Sequence, residues 1–303
     1  MNLSDLHLFV ATTQHASLHA AARELSVTPS ALSKAIRRLE DSLRTPLFDR
    51  DGNKSLCLNA NGHRLRQRAL VLIDLAEQTR AEFVGTKFRV HCRVAAPALL
   101  QWRYAASFAG VLSSNYAESS LNLRPAFEDD AIAALTRGEV DFAFVTNEAL
   151  RTSKVTESLQ SVVLGELTMQ LAAGPSHPLA AKARGNTVRT TMEKVLACDF
   201  VSPTRSLFCG VERGANSDGW QNQMLPRRIR YWVDDLHVLL NLVQNGKALA
   251  YLPEFALRES GLIKVDAINS ALHCSETALL VWRPSVAAGW QTVVVDAFCA
   301  LQE

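Results

Sequence analysis

Hydrophobic side chains in the first 43 positions recur at the spacing of short amphipathic helices. The clearest helix begins at Thr28, whose hydroxyl can accept hydrogen bonds from the first free amides of the helix. Pro29 follows, and its fixed φ suits the first helical position. One face carries Leu32, Ile36, Leu39 and Leu43, and the opposite face carries Ser30, Ser33, Lys34 and Arg37. The pattern therefore predicts a helix with one apolar face and one polar, basic face.

Two earlier helices are predicted by the same capping chemistry. Ser4 and Ser17 stand where an N-cap hydroxyl is expected, just before apolar-periodic residues. The small residues Ala20 to Ala22 allow the second helix to approach the third closely, as a helix-turn-helix crossing requires. A basic helix in this setting is suited to lie in the DNA major groove.

A β-hairpin is predicted directly after the third helix. Two short strand-like runs, 47–50 and 55–58, flank Asp51-Gly52, which is a favoured hairpin-turn dipeptide. A hairpin in this position is a wing, and it would bring Arg50 and Lys54 to the neighbouring DNA phosphates. The wing and the preceding helices together predict a winged helix-turn-helix.

A long helix is predicted from Asn61 to Lys87, a stretch without proline. Its apolar positions alternate steps of four and three, which is a heptad seam, and they are Leu65, Ala69, Leu72, Ala76, Thr79 and Phe83. Such a seam either packs on its own domain or pairs with a second subunit. Pairing would double the phosphate contacts and create a palindromic reading frame.

From residue 88 onward, strand-like and helix-like patterns alternate. Strands are predicted at 88–94, 120–127, 140–146, 166–173, 199–202, 248–252 and 278–282, and helices at 99–112, 130–137, 235–245 and 293–301. This alternation predicts a parallel-type sheet with helices on its faces. Ligands of such sheets bind beyond the carboxyl ends of the strands.

Charge and composition favour a nucleic-acid partner for the N-terminal part. Nine basic residues and four acidic residues lie between Lys34 and Arg68, although the whole chain has a formal net charge of only +2. The 215 residues that remain after the first 88 suffice for one large domain or two lobes. Neither a signal peptide nor a membrane span is expected, and six cysteines without a CxxC pair indicate reduced thiols, so a cytoplasmic protein is expected.

The segment from Phe9 to Gly62 resembles the winged helix-turn-helix of the LysR-type transcriptional regulators. The matching residues are Phe9, Ser17, Ala21-Ala22, Leu25, Val27 to Ser33, Ile36, Leu39-Glu40, Leu43, Leu47-Phe48, Arg50, Leu58 and Gly62. Two positions depart from the family pattern: Arg44 stands where Gly is usual, and Asn59 where Thr is usual. A left-handed backbone at this helix end costs Arg more than Gly, so this departure leaves the C-cap geometry of the third helix open.

The remainder resembles the effector-binding domain of the same family, which is similar in fold to periplasmic solute-binding proteins. The matching residues are Leu135, Gly138 to Asp141, His177 to Ala180, Leu242-Val243, Gly246 and Tyr251 to Pro253. The expected fold is therefore α/β, with an N-terminal winged helix-turn-helix and a two-lobed, periplasmic-binding-protein-like effector domain. The expected domains are 1–60, a linker or dimerisation helix 61–87, and 88–303, with lobe I at about 88–164 plus 268–303 and lobe II at about 165–267.

The resemblance also implies an effector site between the two lobes. The candidates are Arg93, Ala95, Thr146, Asn147, Ser202 and Thr204. Alanines stand where many members present a Ser or Thr to a ligand carboxylate, so Arg93 is the candidate replacement for that anchor. Each hydroxyl or amide here has an alternative reading as a helix cap or turn residue. Cys209 lies near the place where peroxide-sensing members carry a reactive thiol, but no convincing resolving partner follows it.

The sequence and the resemblance together imply a LysR-type regulator whose operator binding responds to a small effector. The DNA contacts are assigned to Thr28, Pro29, Ser30, Ser33, Lys34, Arg37, Arg50 and Lys54. Expected partners are double-stranded operator DNA, a second copy in a homodimer or homotetramer, the effector, and RNA polymerase, with no membrane partner. No enzymatic motif such as GxGxxG, HExxH or GxSxG is present, and no metal or cofactor is expected. The alternatives are a DNA-tethered solute-binding protein and an architectural DNA-binding protein, both without regulatory output.

Overall fold

The computed structural model describes residues 1–13, 15, 17–49, 57–84, 89–153, 159–268, 274–283 and 289–302. Three helices open the chain: α1 (Leu3–Thr12), α2 (Leu18–Glu24) and α3 (Pro29–Leu43). The predicted caps at Ser17 and Thr28 are confirmed, since their hydroxyls accept from the amides of residues 20 and 31, each at 3.2 Å. The cap predicted at Ser4 is wrong. Asn2 caps α1 by accepting from the Asp5 amide at 2.7 Å, because Asn is as effective an N-cap as Ser.

The three helices enclose two small apolar clusters. Phe9, Leu6 and Leu39 are fully buried beside Leu47, and the Phe9 and Phe48 rings meet edge to face at 5.9 Å. A second cluster joins Ala21, Ala22, Leu32 and Ile36. The alanines therefore let α2 approach α3 closely, and α3 turns its apolar face inward.

The backbone past the end of α3 is left-handed at Arg44, with φ 51° and ψ 38°. The amides of Arg44 and Thr45 donate to the carbonyls of Asp41 and Glu40 at 3.3 and 3.1 Å. This pair of bonds is the Schellman arrangement, which glycine adopts with least strain. Arg44 therefore adopts the left-handed cap conformation despite its Cβ atom.

We expect Arg44→Gly to stabilise the N-terminal domain by about 1 kcal/mol, because glycine removes the Cβ clash of the left-handed conformation. The change can be measured as a higher midpoint in urea unfolding of the full chain. Arg44→Ala is the matched control, since it removes the charge but keeps the Cβ atom. An equal gain from both substitutions would assign the effect to charge instead.

The two arms of the predicted wing are paired. The Asp49 amide donates to the Cys57 carbonyl at 2.9 Å, and an antiparallel bridge joins Phe48 to Leu58. Arg50, Lys54 and the Asp51-Gly52 turn lie outside the described residues. A Cβ atom on Gly62 would stand 2.1 Å from the Leu47 carbonyl oxygen. The next helix can therefore pack this closely against the wing only because residue 62 is a glycine.

Helix α4 (Ala60–Val84) confirms the predicted long helix. Its first half packs on its own domain, where Ala69 is fully buried and Leu65 joins the cluster around Phe9. Further along the helix, Leu72 is 40% exposed and Phe83 is 86% exposed. The first half of the seam therefore packs on its own domain, and pairing with a second subunit stays a prediction for the rest.

The C-terminal part contains ten strands and seven helices among its described residues. In chain order they are β1 (His91–Ala96), α5 (Ala98–Asn115), β2 (Ser120–Pro125), α6 (Glu128–Thr136), β3 (Phe142–Thr146), α7 (Asn147–Thr152), β4 (Gln160–Ala173), β5 (Thr187–Thr191), α8 (Met192–Leu196), β6 (Asp199–Ser202), β7 (Arg228–Trp232), α9 (Leu236–Gln244), β8 (Ala250–Pro253), α10 (Glu254–Glu259), β9 (Ile263–Ile268), β10 (Ser275–Trp282) and α11 (Gly289–Cys299). Every predicted strand and helix is present; β6 has the predicted bounds, and the ends of the others are shifted. Strands β5, β7 and β9 were not expected.

The sheet is mixed, so the prediction of a parallel-type sheet is only partly right. The order is β2-β1-β3-β10-β4-β9-β5, with β8 also paired to β4, and β6-β7 forms a separate pair. The strands β4 and β10 run antiparallel to their neighbours because the chain crosses between two lobes along them. The β4–β10 register shifts between Ala278 and Leu279, opposite Gly165, whose φ is 137°.

Each lobe has its own aromatic core. In lobe I the rings of Phe108, Phe142 and Phe298 meet edge to face at 5.2 to 5.4 Å. The lobes also touch through Trp102 of α5 and Phe255 of α10, whose rings are 5.4 Å apart.

Among the described helices, none combines the length and the apolar character that crossing a bilayer requires.

Candidate functional site

The exposed face of α3 gathers the predicted DNA contacts that the structure describes. Thr28, Ser30, Ser33, Lys34 and Arg37 are exposed and Pro29 is half-buried, while Leu32, Ala35, Ile36 and Leu39 are buried behind them. No described residue forms an ion pair or hydrogen bond with the Lys34 ammonium or the Arg37 guanidinium. The helix thus offers two cationic side chains and two serine hydroxyls to an external partner.

An ion pair fixes the orientation of α3. Arg38 donates from Nε to Oδ2 of Asp5 at 3.0 Å and from its terminal nitrogen to Oδ1 of the same carboxylate. The hydrogen bond from Arg38 holds the pKa of Asp5 below its ordinary value. Asp5 is buried in α1, so the clamp ties α3 to the helical core. Sequence reasoning missed this pair because its members lie 33 residues apart.

Arg93 and Ala95 do not lie in a loop after the first strand. Both belong to β1, and Ala95 is fully buried against α6. The Arg93 guanidinium binds Asp141 at 2.7 and 3.0 Å, beside the amino end of β3. The positions that follow β1 are Pro97 and Ala98, neither of which carries a hydroxyl. The structure therefore separates Arg93 from the carboxyl ends of the strands, which weakens its assignment as an effector anchor.

Thr146 and Asn147 lie at the carboxyl end of β3. Thr146 is buried and caps α7 by accepting from the Ala149 amide at 3.4 Å, while Asn147 is exposed. The Thr146 amide donates to the buried Glu128 carboxylate at 2.6 Å. Burial raises the pKa of Glu128 above its ordinary value, although hydrogen bonds from Thr146 oppose this effect.

We expect Glu128→Gln to raise the melting temperature at pH 7 and to leave it nearly unchanged near pH 4. A raised folded-state pKa means that the stability contribution of Glu128 is present below the unfolded pKa and is lost as the pH rises through the folded pKa. Glutamine cannot ionise, yet its oxygen can still accept from the Thr146 amide. Asp130→Asn, an exposed change on the same helix, should alter the melting temperature little at either pH. Destabilisation at both pH values would contradict this account.

Ser202 is fully buried at the end of β6 and contacts a buried ion pair. Its Oγ lies 3.2 Å from a terminal nitrogen of Arg227, which donates to it. Arg227 also makes two 2.8 Å hydrogen bonds to Asp218 and stacks over Trp220 with its Cζ atom 4.9 Å from the ring centroid. The Ser202 hydroxyl therefore helps to hold the loop that follows β6.

Thr204 is half-buried, and its polar groups bind Asp234. The Thr204 amide donates to Oδ1 at 2.7 Å, its hydroxyl donates to Oδ2 at 2.5 Å, and the Arg205 amide donates to Oδ1 at 3.1 Å. Asp234 follows β7, which is parallel to β6. Ser202, Thr204 and Asp234 thus gather at the carboxyl ends of these two strands.

The loop after β6 touches lobe I. The Glu128 amide donates to the Phe208 carbonyl at 3.3 Å, and Gly210 lies against the Phe127 ring. Cys209 is half-buried in this loop, with Arg213 3.8 Å from its Sγ. Among the described residues, no group of three His, Cys, Asp or Glu side chains is arranged so that it could hold a metal ion. The described contacts of this loop with lobe I are therefore a backbone hydrogen bond and the packing of Gly210 on the Phe127 ring.

Comparison with known proteins adds independent information. Residues 3–63 match the family model described as bacterial regulatory helix-turn-helix protein, lysR family, and residues 87–288 match the LysR substrate binding domain. The HTH-type transcriptional regulator CzcR of Bacillus subtilis (strain 168) is 23% identical over 219 residues, which are 68% of this chain and 73% of that protein.

Two solved structures share the fold over their full lengths. Full-length LysG from Corynebacterium glutamicum with bound effector Arg has a TM-score of 0.64 at 18% identity, covering 100% of this chain and 98% of that chain. Full-length CbnR complexed with its target DNA has a TM-score of 0.58 at 16% identity, with 100% of both chains covered. The whole chain therefore has the architecture of these proteins.

Proposed function

Since this chain belongs to the LysR family of bacterial regulatory helix-turn-helix proteins, we propose that α3 reads an operator and that a cleft between the two lobes binds the effector. The family consists of DNA-binding transcriptional regulators with an effector-binding domain. The observation that carries the assignment to α3 is its exposed Ser30, Ser33, Lys34 and Arg37 face, held in place by the Asp5–Arg38 clamp. The related fold of CbnR, solved with its target DNA, supports this assignment.

The proposed contacts divide by their chemistry. Arg37 and the serines are placed to meet base edges, because guanidinium and hydroxyl groups read the major-groove pattern. Thr28, Pro29 and Lys34 position the helix start and the adjacent phosphates. Arg50 and Lys54 of the wing hold the DNA backbone and carry no sequence information of their own.

The second half of α4 is the proposed dimer contact. Leu72, Leu75 and Phe83 are exposed in the single chain, and an apolar stripe of this kind is stabilised by a second helix. A homodimer would place two α3 helices on two half-sites, and a homotetramer would pair two such dimers.

The effector regulates operator binding because it has different affinities for two arrangements of the lobes. The regulated step is proposed to be contact with RNA polymerase at the promoter. We further propose that the protein works in the cytoplasm, requires no metal or cofactor besides its small-molecule effector, and catalyses no reaction. LysG, whose structure was solved with bound effector Arg, supports the proposal of a small-molecule effector.

Selection of duplexes from a random library by the full-length protein tests this function. We expect the wild type to enrich a sequence with two related half-sites at physiological salt. Footprinting of the selected site then checks the contacts on both half-sites. A double variant, Ser30→Ala with Ser33→Ala, should relax the base preference while leaving non-specific binding nearly intact. Enrichment of no sequence by the wild type, with or without small metabolites, would reject the proposal.

A further inference from the structure

The loop after β6 forms a small anion-binding nest that the chain itself occupies. The nest consists of the backbone N–H groups of Thr204 and Arg205 and the hydroxyl of Thr204, which donate to Asp234 at 2.5 to 3.1 Å. Convergent amides and a hydroxyl of this kind bind carboxylates and phosphates. The nest also lies at the carboxyl ends of β6 and β7, where ligands of such sheets bind.

Asp234 is a tethered ligand of this nest. Its partial burial opposes ionisation, but the hydrogen bonds from Thr204 and from the Arg205 amide hold its pKa below the ordinary value. The carboxylate is thus negatively charged at neutral pH. Because it is attached to the same chain, it has a high effective concentration at the nest, and a free carboxylate must compete against it.

The start of α5 in lobe I provides no second binding site for an anion in place of the nest. The positions after β1 are Pro97 and Ala98, and no side chain caps α5. Glu276 lies on β10, one of the strands along which the chain crosses between the lobes, and burial together with the charge of Glu148 raises its pKa while the charge of Arg213 opposes this. Its carboxylate would repel a second anion.

We propose that Asp234 fills the anion subsite of lobe II and thereby excludes carboxylate effectors from this regulator. The inference rests on the proposed function in placing the effector between the lobes. Asp234 acts here as a specificity-determining residue, because its own carboxylate takes the hydrogen bonds that an acidic ligand would need. The effector accordingly meets lobe II with a neutral or cationic group.

Removal of the Asp234 carboxylate tests the proposal in the full-length protein. We expect Asp234→Ala to bind acetate at least about tenfold more tightly than the wild type, because the competing internal carboxylate is gone. Affinity can be measured by titration calorimetry with sodium acetate at ionic strength matched by sodium chloride. Acetamide, which has no charge, should bind neither protein measurably.

Two further variants make the result specific to the nest. Adding Thr204→Val to Asp234→Ala should reduce the gain, because the nest then keeps only its two amides. Asp235→Asn should bind acetate like the wild type, because Asp235 caps α9 through the Val238 amide. If Asp234→Ala does not fold, Asp234→Asn serves instead; it keeps an acceptor oxygen without charge, so a smaller gain is expected.

Equal acetate affinity of the wild type and the Asp234 variants would overturn the proposal, as would a gain that the loss of the Thr204 hydroxyl leaves undiminished. The titration contains no DNA, so its result is independent of operator binding. A protein that recognises no operator would refute the proposed function while leaving the acetate comparison intact.

Discussion

Asp218→Asn is expected to lower the free energy of unfolding by about 3–5 kcal/mol, because it leaves the Arg227 charge buried without its counter-ion. The Arg227 side chain is 0% exposed and that of Asp218 is 1% exposed. Trp220 and Phe200 cover the guanidinium, with ring centroids 4.9 and 5.3 Å from its Cζ atom. Water therefore cannot replace the lost carboxylate.

An exposed ion pair in the same lobe provides the matched control. The Arg189 and Asp266 side chains are 75% and 45% exposed, so Asp266→Asn should cost only about 0–1 kcal/mol. Urea unfolding of the full-length protein, followed by tryptophan emission, measures both variants. Equal costs for the two substitutions would show that the buried pair is not the main contributor.

A double replacement separates the charge from the packing. Exchanging Asp218 for Leu and Arg227 for Met removes both buried charges, and it should restore much of the stability that Asp218→Asn loses. The Ser202 hydroxyl would lose its Arg227 donor in this variant. Failure to recover any stability would indicate that the pair is needed to order the loop and not merely to neutralise itself.

The helices were predictable where their signals are local. Thr28 and Pro29 are neighbours whose side-chain and backbone chemistry alone defines a helix start, and the structure confirms it. Ser4 failed as a cap because Asn2, two residues earlier, offers an equally good acceptor. The backbone conformation of Arg44 could not be decided from the sequence, because a left-handed cap costs arginine more than the glycine that the family usually has there.

The strands that were not predicted from the sequence have polar outward faces. In β7 the exposed positions Arg228, Arg230 and Trp232 alternate with inward Ile229 and Tyr231. The arginines give this run the composition of a solvated segment, although its alternation has the period of a strand. The burial of the neighbouring Arg227 could not be predicted, because it depends on Asp218 and the aromatic rings around it.

For each of two hydrogen-bonded pairs in the candidate site, the sequence indicated only one partner. Thr146 and Thr204 were chosen as candidates because they stand at the ends of apolar strands, which is local information. Their partners, Glu128 and Asp234, lie 18 and 30 residues away in the chain. Only the folded sheet brings the strand ends together, so the sequence did not reveal that Asp234 satisfies the hydrogen-bonding groups of Thr204.

Arg37→Ala is expected to weaken operator binding by about 1–3 kcal/mol, which is roughly a 5- to 150-fold rise in Kd. Arg37 is exposed on α3 one turn beyond Ser33, and no described residue competes for its guanidinium. A bidentate contact to guanine requires this planar fork, and lysine does not reproduce it. Arg37→Lys is therefore the matched variant, since it keeps the charge.

The salt dependence of binding distinguishes a base contact from a phosphate contact. If Arg37 reads a base, Arg37→Lys should lose operator preference over random duplex while retaining the wild-type slope of log affinity against log salt. If Arg37 binds only a phosphate, Arg37→Lys should behave like the wild type, and Arg37→Ala should lower that slope by about one on all sequences. Gel-shift titrations at several salt concentrations measure both quantities. Unchanged operator affinity in Arg37→Ala would remove Arg37 from the reading face, because a side chain in the groove cannot be deleted without a change in Kd.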